Sequence, residues 1–351
     1  MVTPAKTIEL FRRLSEAPGP SGQEDEVRSI LRGEVEKLVD EVHSDTMGDL
    51  IARRKGRGKK VMVAAHMDEL ALMISHIEKE GLLRFRKVGG IDDRVLLTKT
   101  VHVGRDRLPG VIGAKPIHLQ EPREREQVIK LDNLFIDIGA RSREEAEKLV
   151  KVGDYAVFTT RFERFGSGLV KGKALDDRAG CLVLLETLRA LQQTPLKLDL
   201  YGVFTVQEEI GTRGAAVTAY DIAPDIGFVL EGTVCSDTPG TDPHGQSTVV
   251  GAGPAISIMD AGTIADRRLV DFLVATAEEN GIPYQFRRAT TGGNDGARIH
   301  LAREGAPTAS ISVPCRYIHS PVSVCSLEDL ERAARLLTAA LKKIAEGGLK
   351  L

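Results

Sequence analysis

The sequence predicts an α/β fold, with a mixed sheet covered by helices on both faces and a small, β-barrel-like domain inserted into it. Helical periodicity alternates with apolar, strand-like runs in residues 1–69 and again in residues 166–351, which is typical of a sheet between two helical layers. Residues 70–165 instead carry short β-like runs separated by Gly/Pro turns. We therefore expect the two outer segments to form one domain that is interrupted by the β segment.

Two helices and two strands are expected in the first outer segment. Apolar side chains recur with helical spacing over residues 4–16 and 22–39, and Ser21 stands where the second helix would have its N-cap. Apolar strand patterns follow over residues 49–53 and 60–65.

The inserted segment and the second outer segment predict different elements. The insertion has β-like runs at 71–77 and 100–103, and its charged stretch 121–130 is expected to be an exposed loop. After Gly172 helices and strands alternate again. The expected order is helix 178–193, strand 196–206, helix 211–220, strand 225–231, strand 247–259, helix 265–280, strand 283–289, a further helix, strand 307–313 and helix 326–346.

Composition favours a globular protein that binds neither nucleic acid nor membranes. With 351 residues, 42% of them hydrophobic, the chain is long enough for two domains, because single cores rarely grow beyond ~250–300 residues. The formal net charge is -2, from 48 basic and 50 acidic residues, so no general field attracts a polyanion. No run of residues resembles a signal peptide or a membrane span. The four cysteines have no C-x-x-C spacing, so we expect a reduced, cytoplasmic compartment.

Side chains that bind metals follow most of the predicted strands. They are His66 and Asp68, Asp176 and Asp177, Glu208 and Glu209, Glu231, and His319. Because loops at the strand ends of an α/β sheet converge on one crevice, we expect these side chains to lie together. Imidazoles and carboxylates without thiolates suit a pair of zinc, cobalt or manganese ions, whereas structural zinc sites are usually rich in cysteine.

The spacing of these residues also indicates which role each could have at a metal site. Asp68 can accept a hydrogen bond from the ring nitrogen of His66 that does not bind metal. Asp176 and Asp177 open a helix, so one carboxylate can bridge two cations while the other caps the helix. Of the adjacent Glu208 and Glu209, one as ligand and one as general base would relieve their repulsion.

Several motifs resemble the M42 family of metallo-aminopeptidases, the tetrahedral aminopeptidases that include glutamyl, leucyl and deblocking enzymes. The resemblance covers essentially the whole chain. It rests on HMDE at 66–69, ALDDRAG at 174–180, QEEIGTRGA at 207–215, GG-x-DG at 292–296, YIHSP at 317–321, and NLFIDIGA at 133–140, which looks like the family's dimerisation signature.

The resemblance implies a role for each candidate residue around two divalent metal ions per subunit, zinc or cobalt. Asp176 would bridge the ions, Glu209 and His319 would complete one site, and His66 and Glu231 would complete the other. Glu208 would be the general base, and Asp68 would orient His66. His244, Asn294 and Asp295 would contact the substrate.

Three positions depart from the family pattern. Glu231 stands where many members carry aspartate, Asn294 where relatives often have threonine, and Ala252 where they often have lysine. The last two positions belong to the pocket, so the preference for the N-terminal residue cannot be copied from a relative.

The implied activity is the removal of N-terminal residues from short peptides. The implied assembly is a homo-oligomer in which two chains form a dimer through the inserted domain, residues 70–165, and six dimers build a tetrahedral dodecamer. Residues 1–69 and 166–351 would form the catalytic domain. Three alternatives remain open. A carboxypeptidase or an N-deacylase would use the same metal chemistry, a glycosidase would use two carboxylates, and a scaffold protein would use the metals structurally.

Overall fold

The computed structural model describes residues 4–241 and 247–349. It contains a large mixed α/β layer and a closed barrel, so the predicted fold class is confirmed. The helices of the α/β layer are α1 (Ala5–Glu16), α2 (Asp25–Val35), α5 (Leu175–Leu191), α6 (Arg213–Ile222), α7 (Arg267–Glu279), α8 (Gly296–Ile299) and α9 (Leu327–Ala345). Two short helices, α3 (Pro122–Arg125) and α4 (Arg143–Ala146), belong to the inserted segment.

The large sheet has eleven strands. They are β1 (Glu41–Ser44), β2 (Leu50–Arg54), β3 (Lys60–His66), β10 (Glu163–Phe165), β11 (Leu169–Gly172), β12 (Asp199–Thr205), β13 (Ile226–Val234), β14 (Ala255–Ser257), β15 (Gln285–Arg287), β16 (Thr308–Arg316) and β17 (Ser323–Ser326). Nine of them follow the order β1-β2-β12-β3-β13-β16-β17-β11-β10, while β14 pairs with β15 and β16. The central strands β12, β3, β13 and β16 are mutually parallel, so their carboxyl ends lie at one edge.

Strand β13 shows how the central sheet separates two apolar layers. Phe228 and Leu230 pack into the larger core beneath α5, whereas Val229 packs with Ile299 of α8 on the opposite face. This alternation is the two-residue period of a strand. Because both faces are covered, the strand is apolar from Ile226 to Leu230, and the nearly buried Glu231 is its first charged residue.

The inserted segment forms a six-stranded antiparallel barrel with a core of its own. Its strands are β4 (Ala71–Ile77), β5 (Leu83–Val88), β6 (Thr100–Val103), β7 (Leu108–Gly113), β8 (Phe135–Asp137) and β9 (Tyr155–Phe158). They close in the order β4-β5-β8-β7-β6-β9. The interior is filled by side chains such as Leu72, Leu83, Val101 and Ile136, and closure leaves the barrel without an unpaired edge.

Three local predictions about elements are wrong. The strand expected over 247–259 is limited to Ala255–Ser257, because Gly251 and Gly253 adopt left-handed backbone angles and turn the chain before it. Ser21 does not cap α2, which begins at Asp25 after Glu24; its hydroxyl donates to Asp68 instead. The short helix α3 interrupts the exposed stretch that was expected to be a loop.

The expectation for the cysteines agrees with the structure. All four cysteines are buried and unpaired. Among the described residues, no helix is both long and apolar enough to cross a membrane.

A buried ion pair ties α1, β3 and the start of α5 together. The ammonium of Lys173 donates to both carboxylate oxygens of Glu69, at 2.6 and 2.7 Å, and to the carbonyl of Ala17 at 3.1 Å. Beside it the fully buried Arg178 donates to the carbonyls of Met67 and Ala17 at 2.8 and 3.1 Å. Glu69 lies three residues after His66, and Lys173 three residues before Asp176, so the pair fixes two predicted ligand segments relative to each other.

We predict that Lys173→Met lowers the free energy of unfolding by about 3–5 kcal/mol, because it removes the ammonium that contacts both oxygens of the buried Glu69 carboxylate and leaves the more distant Arg178, at 3.8 Å, as its counter-charge. The double variant Lys173→Met/Glu69→Leu should recover part of this loss, because it removes the poorly compensated carboxylate but also takes a partner from Arg178. The matched control is Lys171→Met, which removes an exposed partner of Glu163 and should change stability by less than about 1 kcal/mol. Urea unfolding measures all three, and a double variant as unstable as Lys173→Met would contradict the ion-pair explanation.

Candidate metal centre

The parallel strands deliver four of the five predicted ligands to one edge of the sheet. His66 ends β3 and Glu231 lies level with it on β13, while Glu209 follows β12 and His319 follows β16. Asp176 approaches from the start of α5. These residues form two groups that share Asp176, and within each group the potential ligand atoms lie within 4.8 Å of one another.

The first group consists of His66, Asp176 and Glu231. The Nε2 atom of His66 lies 3.4 Å from Oδ1 of Asp176 and 3.3 Å from Oε1 of Glu231. The imidazole is buried and both carboxylates are nearly so. The longer side chain of Glu231, which departs from the family's aspartate, therefore reaches the same point as the other two ligands.

The second group consists of Asp176, Glu209 and His319. The Nε2 atom of His319 lies 3.7 Å from a carboxylate oxygen of Asp176 and 3.7 Å from one of Glu209. The side chain of His319 is 46% exposed, and its backbone has a left-handed φ of 58°. The Nδ1 atom of His319 lies 2.9 Å from the carbonyl oxygen of Gly90.

Asp68 makes more contacts than its spacing from His66 indicated. One of its oxygens lies 3.3 Å from Nδ1 of His66. The carboxylate also accepts hydrogen bonds from the backbone N–H groups of Glu208 and Glu209, at 2.9 and 3.1 Å, and from the hydroxyl of Ser21 at 2.6 Å. Asp68 therefore orients the imidazole and holds the turn that carries both glutamates. The contacts of Ser21 gave no sequence signal, because its position resembles an ordinary helix cap.

Asp177 both caps a helix and supports a ligand. Its Oδ1 atom accepts a hydrogen bond from the N–H of Gly180 at 2.8 Å. Its Oδ2 atom accepts one from the N–H of His66 at 3.3 Å. Burial is the main cause that raises the pKa of Asp177 to about 8. Asp177 belongs to neither group of potential ligands.

Burial governs the charge state of the cluster. It raises the pKa values of Glu209 and Glu231 well above the ordinary value, and the nearby Asp176 adds to the effect. Burial acts on Asp176 in the same direction, but contacts with His66 outweigh it and lower the pKa of that carboxyl. Without cations, part of the cluster would therefore retain protons at neutral pH.

The donor set fits two divalent cations. Buried oxygens of Asp176 (Oδ1) and Glu231 (Oε2) accept no hydrogen bond within the described part of the chain. Buried oxygens normally have a partner, so these atoms have unused ligand capacity that faces the same cluster. Two imidazoles and three carboxylates, without a thiolate, are ligands for zinc or cobalt.

Glu208 lies beside both groups but belongs to neither. Burial raises its pKa well above the ordinary value for glutamate, with contributions from Asp295 and Glu209, while His66 acts to lower it. A carboxylate with a raised pKa next to the cluster has the property required of a general base near neutral pH.

Two of the three predicted substrate-contacting residues lie beneath the centre. The Nδ2 atom of Asn294 donates to Ser310 at 3.2 Å, and its Oδ1 atom accepts from the N–H of Gly296 at 2.9 Å. Asp295 is buried and accepts from the hydroxyl of Thr205 at 2.5 Å. These contacts are internal to the protein, so a substrate contact by either residue stays a prediction. His244 lies outside the described residues.

Comparison with known proteins identifies the family of the chain. The family model described as M42 glutamyl aminopeptidase matches residues 48–336. The lysyl aminopeptidase of Pyrococcus furiosus is 34% identical over 347 residues, which cover 96% of this chain and 97% of that protein.

Two solved structures are similar over nearly their whole length. An aminopeptidase from the archaeon Desulfurococcus kamchatkensis superposes with a TM-score of 0.92 at 41% identity, covering 96% of this chain and 95% of that one. The TET1 peptidase of Pyrococcus horikoshii, which can assemble into a tetrahedron or a large octahedral shell, gives a TM-score of 0.86 at 38% identity, covering 95% and 98%.

We predict that the buried carboxyls make metal-free protein less stable as pH rises. The pKa of Glu231 is raised from 4.5 in the folded protein, so the unfolded chain releases this proton first, and the free energy of unfolding falls as pH increases above that value. Zinc requires the deprotonated ligands, so its stabilising effect should increase over the same range.

Thermal unfolding of chelator-treated protein, with and without Zn²⁺, checks this between about pH 5 and pH 8. Glu231→Gln should raise the midpoint of the metal-free protein at the upper pH and reduce the shift produced by zinc. A metal-free midpoint that Glu231→Gln does not change at about pH 8 would contradict the prediction.

Proposed function

The chain belongs to the M42 family of aminopeptidases, and from this we propose that its two ligand groups form the catalytic centre. It is a metal-dependent peptide hydrolase that removes N-terminal residues. The observation that carries the residue assignment is the pair of ligand groups that share Asp176, with Glu208 beside them.

Each ligand group would hold one divalent ion, zinc or cobalt. His66 and Glu231 would bind one ion, Glu209 and His319 the other, and Asp176 both. When bound, such ions polarise a substrate carbonyl and lower the pKa of a water molecule. The buried carboxylates of the chain would bind the ions without help from a thiolate, and the nearly closed surroundings of His66 would keep bulk water from that part of the centre.

Glu208 would move the proton. An Oε atom of Glu208 would take a proton from the attacking water and return it to the nitrogen of the leaving amine, so the carboxylate is regenerated in each cycle. The raised pKa of Glu208 suits this exchange, because a carboxyl group that is a weaker acid gives a carboxylate that accepts a proton more readily near neutral pH. Asp68 supports the step by holding the N–H of Glu208 at 2.9 Å while it orients His66.

Membership of the family favours this reaction over the alternatives that share its chemistry. A carboxypeptidase or an N-deacylase would attack an amide carbonyl in the same way, so the ligand groups do not separate the three. A glycosidase would need neither His66 nor His319. The aminopeptidase relatives, which match almost the entire chain, decide between them.

The assembly we propose is a homo-oligomer. Two chains form a dimer through the barrel, residues 70–165, and the dimers combine further into a dodecamer. The tetrahedral and octahedral shells of the Pyrococcus horikoshii TET1 peptidase support this assembly. The barrel also exposes large apolar side chains, including Val111, Ile117, Leu119 and Val128. Apolar surface of this kind marks contact sites between proteins.

We predict that Glu208→Gln abolishes most hydrolysis of a peptide with a free N-terminus and leaves metal binding intact. Loss of a general base typically lowers kcat by about 10²–10⁴-fold, whereas the amide is isosteric and removes no ligand. Activity on a leucyl or glutamyl anilide and metal content by elemental analysis give the two measurements. Glu304→Gln, at an exposed position, is the matched control and should retain full activity.

The same assay tests the reaction class. The wild-type protein should hydrolyse peptides with a free amine and leave N-acetylated peptides and glycosides unchanged. Cleavage of N-acetylated peptides from the C-terminus, or activity in Glu208→Gln equal to that of the control, would contradict the proposed function.

We predict that the protein elutes as an assembly much larger than the 38.1 kDa chain. Light scattering coupled to size-exclusion chromatography gives the mass. Replacing Leu119 with glutamate places a charge on the exposed barrel surface and should shift the population toward smaller species, whereas Glu304→Gln should not. A wild-type mass equal to that of one chain would contradict the assembly.

A further inference from the structure

One loop of the barrel reaches the metal centre. It follows β5 and contains Gly89, Gly90 and Ile91. The carbonyl oxygen of Gly90 lies 2.9 Å from Nδ1 of His319, although the two residues are 229 positions apart in sequence. The same loop passes close to Glu209, since a Cβ atom on Gly89 would lie 3.3 Å from the Cβ of Glu209 and 3.5 Å from its Oε2. The loop therefore touches two of the three ligands in the second group.

His319 depends on such a contact more than the other ligands do. Its side chain is 46% exposed, and it lies in a turn where Tyr317 and His319 both have positive φ angles, 62° and 58°. Neighbouring side chains therefore confine the imidazole only partly. A hydrogen bond from Nδ1–H to the carbonyl of Gly90 would fix the tautomer that leaves Nε2 free to face Asp176 and Glu209.

The loop itself is held by the barrel. Ile91 is buried in the barrel core together with Leu70 and Leu96. The ammonium of Lys87 donates to the carbonyl of Ile91 at 2.8 Å and to the carboxylate of Asp93 at 2.7 Å. Because the loop is anchored on both sides of Gly90, the position of its carbonyl oxygen is set by the barrel and not by the sheet that carries His319.

The first ligand group is supported differently. His66 is buried and lies against Asp68, a residue of the same sheet edge. Gly232, next to Glu231 on β13, packs on Asp176. These supports come from the large α/β layer, so the two groups differ in which part of the chain orders them.

We propose that Gly90 is a positioning residue, and that through it the barrel completes the metal group of Asp176, Glu209 and His319. The proposal rests on the proposed function, because it takes these three residues as ligands. A carbonyl partner for the second ring nitrogen of a ligand histidine typically changes metal affinity by about 10–100-fold. A site completed by the barrel holds its ion only while the Gly89–Ile91 loop is docked.

Glycine at position 90 leaves room for the imidazole of His319. A Cβ atom there would lie 3.2 Å from Nδ1 of His319, which is closer than most side-chain contacts, and at an ordinary contact distance of 3.6 Å from Cε1. Even alanine should therefore press on the imidazole and turn it away from the carbonyl, while the barrel and the sheet keep their folds.

The direct test is Gly90→Ala, with binding of Zn²⁺ and Co²⁺ to chelator-stripped protein measured by titration calorimetry and elemental analysis. We expect one of the two metal equivalents to bind about 10–100-fold more weakly, with the other unchanged and the unfolding midpoint of the metal-free protein preserved. The matched control is Gly33→Ala in α2, where the added Cβ meets no atom within 4 Å. Unchanged affinity for both equivalents, or equal weakening of both, would overturn the proposal.

A second variant tests the part played by the barrel without touching His319. Lys87→Met removes the anchor on Ile91 and should weaken the same equivalent, by less than Gly90→Ala does. Its control is Lys115→Met, another barrel lysine, which pairs with Glu124. If Lys87→Met binds both equivalents as tightly as Lys115→Met, the anchoring role of the barrel is overturned.

His319→Ala separates this proposal from the proposed function. His319→Ala should abolish binding of the metal equivalent that Gly90→Ala weakens. The absorption spectrum of the cobalt protein should then lose the band intensity of that equivalent. Retention of both equivalents in His319→Ala would refute the ligand assignment itself. Loss of one equivalent in His319→Ala, together with unchanged binding in Gly90→Ala, would refute only the role of Gly90.

Discussion

The constraint on which the rest of the structure depends is the burial of several carboxylates around one imidazole. Asp176 and Glu231 lie out of water within reach of His66, and Glu209 is grouped with Asp176 and His319, so the mutual repulsion of these carboxylates is weakly screened. Such a cluster is tolerable only with protons or cations, because no donor within the described residues reaches Oδ1 of Asp176 or Oε2 of Glu231. The sheet edge, the turn held by Asp68 and the start of α5 all serve to keep these charges close.

Sequence reasoning located the ligands because each stands where a long apolar strand ends. His66 and Glu231 follow buried runs of β3 and β13, and parallel pairing brings them level. This pattern is local, so it can be recognised in the sequence. The contacts that hold the ligands in place could not be predicted, because Ser21 contacts Asp68 across 47 residues and Gly90 contacts His319 across 229. Contacts of that kind depend on how whole elements pack, which periodicity does not encode.

The fold class and the inserted barrel were predictable for a related reason, since alternation of strands and helices stops near residue 70 and resumes near residue 166. The wrong predictions concern segments in which two local sequence signals favour different structures. Residues 247–259 are apolar enough for a strand, yet Gly251 and Gly253 take positive φ angles that end the extended chain. Ser21 has the chemistry of a cap, but its hydroxyl is engaged by a buried carboxylate.

The position of the barrel within the chain has an evolutionary consequence. The chain enters the barrel just after His66 and leaves it before β10, so both crossings lie near the large sheet. The far end, around Ile117, Leu119 and α3, is exposed and makes no contact in either ligand group. In the proposed assembly, mutations there can alter which copies associate while the hydrolytic centre remains under separate selection. Quaternary structure and chemistry can therefore diverge at different rates within one polypeptide.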